Sequence, residues 1–194
     1  MHAYHTVVDG FGGYRSRLDD IHLVHELLEK LPLAVGARPV MPAFVLPYYN
    51  GVLPDDCGIS SFVFLDGGHL TLHTFSFREA LFLDILAPHP VDDGTLRSHI
   101  EAVFPCESLD VGWLDRRAAI QETPALRSKR DFGPHLTLTF DDYRGPTTLD
   151  SLFEFLDRAP AMIGMTPIMR PYVMRNAMLP FVTGLSGIFL ASVP

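Results

Sequence analysis

Three short segments, Ser60–Leu65, His69–Phe75 and Ala80–Leu86, follow one another in mid-chain and are either apolar throughout or alternate apolar with polar residues. They constrain the fold more than any other feature. Alternation puts every second side chain on one face of a strand, so the run predicts a half-buried β-sheet rather than a helical bundle. His5–Asp9, Val40–Tyr48 and Ser108–Trp113 read as further strands. Ile21, Val24, Leu27, Leu28 and Leu31 recur at helical spacing behind Asp19-Asp20, and Leu96, Ile100, Val103 and Phe104 do so behind Asp92-Asp93. Aspartate suits a helix N-terminus because its carboxylate accepts from the first backbone N–H groups. The resulting order β-α-β-β-β-β-α-β predicts an α+β fold, an antiparallel sheet with helices on one face.

After Trp113 the chain is charged, aperiodic and interrupted by Pro124 and the cluster Arg127-Ser128-Lys129-Arg130, so residues 116–133 are expected to form a linker. The pattern then starts again. His135-Leu136-Thr137-Leu138-Thr139 resembles His5–Asp9, and Leu149, Leu152, Phe153 and Leu156 predict a third amphipathic helix behind Thr147-Thr148. Pro167–Met174 parallels Pro39–Leu46, and Gly184–Leu190 parallels Gly58–Phe64. Residues 134–194 are therefore expected to be a partial second copy of a unit spanning residues 1–115, with Pro194 opposite Gly68, about one and a half copies packed as one structural domain. Half a unit leaves a strand edge open, which predicts packing against the first unit and dimerisation.

Composition excludes several function classes. With 47% hydrophobic and 20% charged residues over 194 positions, the chain has the makings of a folded core. Fifteen Lys and Arg against 23 Asp and Glu give a formal charge of −8, which repels phosphate backbones and anionic membranes. Cys57 and Cys106 are too few for a disulfide framework, and the N-terminal residues lack a basic segment followed by an apolar run. A cytoplasmic protein is expected. Met178–Pro194 carries no charge, but Pro180, Thr183, Gly184, Ser186 and Gly187 interrupt it, so it reads as a turn plus a strand rather than a membrane span.

The segment Gly67-Gly68-His69-Leu70-Thr71-Leu72-His73-Thr74-Phe75 resembles the active-site strand of S-adenosylmethionine decarboxylases of the small bacterial type. Those proenzymes carry Glu-Ser-His-Leu-(Ser/Thr)-(Ile/Leu)-His-Thr-Trp-Pro-Glu, and His69, Thr71, His73 and Thr74 match. His5-Thr6-Val7-Val8-Asp9-Gly10-Phe11-Gly12 is similar to the family's opening strand, Gly58-Ile59-Ser60-Ser61-Phe62-Val63 to its Gly-Val-Ser-Gly-Val-Val strand, and Asp84 falls where the family has an Asp after an apolar strand. The resemblance covers residues 3 to 115 or so. It implies an α/β/β/α sandwich of antiparallel sheets with outer helices, formed by paired small chains or by duplication within a longer one.

The same resemblance exposes what is missing. In the family the serine attacks the preceding carbonyl, the ester eliminates, and the residue becomes a pyruvoyl group that forms a Schiff base with the substrate amine. Gly68 stands at the serine's position and Gly67 at that of the preceding Glu, so this degenerate processing site has no nucleophile. The family's proton-donating Cys corresponds to Pro88, and its Trp-Pro-Glu to Phe75-Ser76-Phe77. The resemblance leaves His73 and Ser60 as candidate catalytic residues. It makes Phe75 a platform for adenine, Glu79 a stand-in for the lost carboxylate, and His69 a ligand contact.

Other chemistry finds little support in the residues. The lysines, Lys30 near a helix end and Lys129 in the linker, do not suggest a Schiff base to pyridoxal phosphate. His69 and His73 lie roughly 13 Å apart along a strand, too far for one metal. His22, His25 and Glu26 share a helix with zinc-like spacing but have no further ligand cluster. No P-loop, dinucleotide fingerprint or Gly-x-Ser-x-Gly elbow is present. Neither metal nor cofactor is expected, and no pyruvoyl group. The expected function is that of a decarboxylase-like protein that does not self-process, binds S-adenosylmethionine or a polyamine-related ligand, or regulates a paralogue in a heteromer. Two alternatives remain: an enzyme doing non-pyruvoyl chemistry on a similar substrate, with His73 as acid or base and Ser60 orienting the ligand, and a structural oligomerisation module.

Overall fold

A computed structural model describes residues 3–48, 55, 57–115, 144–178, 182–189 and 191–192. Six antiparallel strands form the main sheet: β1 (Tyr4–Phe11), β2 (Phe44–Tyr48), β3 (Gly58–Leu65), β4 (Gly68–Phe75), β5 (Ala80–Ala87) and β6 (Ser108–Asp115). They lie in the order β2-β3-β4-β5-β1-β6. The connection between β3 and β4 is tight. Leu65 pairs with Gly68 across the two residues Asp66-Gly67, and Gly67 has φ 84°, a left-handed conformation that glycine adopts at no steric cost.

Strand alternation divides the sheet into two faces. Ile59, Val63, Leu70, Leu72, Leu83 and Ile85 are at most 1% exposed and face the helices α2 (Ile21–Ala34) and α3 (Asp93–Val103). Val24, Leu27, Leu28 and Leu31 of α2 and Leu96 and Ile100 of α3 complete that core, each contributing about 1.5–3 kcal/mol of hydrophobic transfer. Asp20 caps α2 by accepting from the N–H groups of His22 and Leu23, and Asp92 caps α3 by accepting from Thr95. The short helix α1 (Arg15–Leu18), absent from the sequence expectation, plugs one edge of this core with Leu18.

The opposite face of the sheet receives the second half of the chain. Helix α4 (Leu149–Met162) leads into β7 (Thr166–Pro167), the hairpin β8 (Tyr172–Met178) and β9 (Val182–Ile188), and β10 (Ala191–Ser192), which pairs with β7. Tyr172 of β8 meets Phe62 and Phe64 of β3, each at a ring distance of 5.8 Å. On the hairpin's other side Leu152 and Leu156 of α4 press on Gly187, where a Cβ would come within 2.4 Å of Leu156. The layers therefore run α2/α3, six-stranded sheet, β8–β9 hairpin, α4. That is the α/β/β/α arrangement of antiparallel sheets expected for the chain.

The two halves also share details. The same interval of 128 residues separates the caps Asp20 and Thr148, the last-turn prolines Pro32 and Pro160, and the positive-φ Gly36 and Gly164. In the first half Phe44 pairs with Phe62 and Pro39 bridges Leu65; in the second Tyr172 pairs with Ile188 and Pro167 with Ala191. In both, five residues back on one strand correspond to three forward on its partner. The expected linker 116–133 and the segment His135–Thr139 lie outside the described residues.

Candidate functional site

The sheet face turned from α2 and α3 carries an unusual number of polar side chains. Pairing register places them in rows: Ser60 opposite His73, which is opposite Phe82; Thr71 opposite Asp84; His69 opposite Leu86, which is opposite His5. A half-polar strand pattern buries one side and leaves the other for chemistry, and this face is the polar one.

Two groups form within it. Ser60 Oγ lies 2.9 Å from His73 Nδ1, a hydrogen bond between directly opposed residues, and both side chains are half-buried. A hydroxyl bonded to an imidazole can pass a proton or orient a bound ligand. In the second group Thr71 Oγ1 donates to Asp84 Oδ2 at 3.4 Å, and His5 Nε2 stands 3.3 Å from Asp84 Oδ1. His5 is only 3% exposed, and its ring meets the half-buried His69 edge-on at 6.4 Å. A buried imidazole beside a half-buried carboxylate is costly to desolvate unless the two serve each other, which marks this cluster as more than packing.

His73, Ser60 and His69 thus share one face. Phe75 joins them at the end of β4, where its ring packs edge-on against Phe82 at 5.9 Å; Phe82 in turn meets Phe11 at 6.0 Å. Glu79 is placed differently. It adopts φ 53° at the β4–β5 corner, receives Arg15 Nε at 3.3 Å, and its carbonyl accepts from Gly13 N–H. Its carboxylate serves that corner. His5, Asp84 and Thr71 match the family's motifs but carry no role legible in the sequence; their signal is a polar residue repeated at alternate positions of otherwise apolar strands.

Gly67 and Gly68 form the turn and first residue of β4. A Cβ on Gly68 would lie 1.7 Å from the carbonyl oxygen of Leu86 and 2.6 Å from its carbon, so β5 crosses where a side chain would have to be. Gly58 sits in the same way against the carbonyl of Thr74, at 1.8 Å. Neither cysteine belongs to the polar face. Cys57 is buried just before β3, and Cys106 lies beside Gly10 and Gly13 at the helix side of β1, donating to the carbonyl of Phe104 at 3.3 Å. Burial, aided by Glu101, pushes the Cys106 thiol up.

Among the described residues no three His, Cys, Asp or Glu side chains converge as metal ligands. On α2, Glu26 is engaged by Lys30 and His25 by Glu29 at 3.6 Å. No helix among the described residues is long and apolar enough to cross a membrane.

A family model described as S-adenosylmethionine decarboxylase matches residues 4–117. The crystal structure of the adenosylmethionine decarboxylase from Aquifex aeolicus VF5 is similar at 16% identity and a TM-score of 0.50, covering 63% of this chain and 96% of that one. At that identity the likeness shows the fold. A search of curated proteins returns no match.

Proposed function

The chain belongs to the S-adenosylmethionine decarboxylase family, and on that premise we propose that it is a member that keeps a ligand face without generating a pyruvoyl group. The ligand is S-adenosylmethionine or a polyamine-related molecule, held against Ser60, His69, His73 and Phe75. The observation that carries this reading is the space at Gly68: the position corresponding to the processing serine has neither a hydroxyl nor room for one. Without the nucleophile the acyl shift that begins processing has no electron pair to start it.

Ser60 and His73 remain hydrogen-bonded on the same face, which supports retained binding and also a second reading in which His73 moves a proton on a similar substrate. Calorimetric titration with S-adenosylmethionine, run on the wild type and on His73→Ala, tests both. Binding that disappears in the variant supports the ligand face, and turnover detected by product analysis moves the weight to the second reading. Failure of the wild type to bind S-adenosylmethionine, spermidine or putrescine would sink both and leave a structural or paralogue-regulating role in an oligomer.

A further inference from the structure

We draw no further inference here: the strongest candidate, the pair of carboxylates Asp9 and Asp110 set opposite one another on β1 and β6 at the edge of the polar sheet face, is an acidic cluster at which nothing else among the described residues points to a ligand.

Discussion

On the proposed reading, a serine placed at Gly68 should not make the chain cleave itself, and Gly68→Ser tests why. The new Cβ would stand 1.7 Å from the carbonyl oxygen of Leu86, whereas an unstrained carbon–oxygen contact is about 3.3 Å. β4 and β5 would have to part by about 1.6 Å at this point, enough to break two or so ladder hydrogen bonds at about 1 kcal/mol each. Overpacking against backbone adds about 1–3 kcal/mol. A loss of about 3–5 kcal/mol follows, which for a chain of this size lowers Tm by about 6–20 °C. Thermal unfolding by circular dichroism measures the loss, and intact-mass spectrometry shows whether the chain remains whole. A Gly68→Ser protein that melts with the wild type would refute the steric argument. A Gly67→Glu/Gly68→Ser protein that splits into residues 1–67 and 68–194 would refute the claim that the turn cannot process.

Two further outcomes follow from the packing. Tyr172→Ala removes a 39% exposed ring that joins β8 to Phe62 and Phe64, so it should cost about 1–3 kcal/mol in thermal unfolding, and no measurable change would show that the hairpin is not anchored there. Burial beside Glu101 favours the neutral Cys106 thiol in the folded state, so that contribution is present below the ordinary thiol range and is lost as pH rises through the raised folded value. At pH 8 Cys106 should alkylate with iodoacetamide more slowly than glutathione, and an equal or faster rate would contradict the assignment.

Much of the fold was legible because strand and helix periods are local. Ile59, Val63, Leu70, Leu72, Leu83 and Ile85 alternate in the sequence as they alternate across the sheet, and Asp20 and Asp92 cap the helices their positions announced. Boundaries moved where pairing decided them: the expected strand Val40–Tyr48 became β2 from Phe44, with Pro39 as a separate bridge to Leu65. Short elements such as α1 and the two-residue strands β7 and β10 carry too few residues for a period to register.

The sequence by itself determined the family, the antiparallel α+β layout and the absence of a hydroxyl at position 68, since each depends on residue identity and order along the chain. Only the tertiary structure decided that His5 joins Asp84, 79 positions away in sequence, that Glu79 is turned to Arg15, and that β5 occupies the room a side chain at Gly68 would need. It alone set Leu27 in a core and left Phe155 at the surface. Periodicity specifies which face of an element is apolar. What that face meets is fixed by strand register and layer stacking, which bring together residues that no local pattern connects.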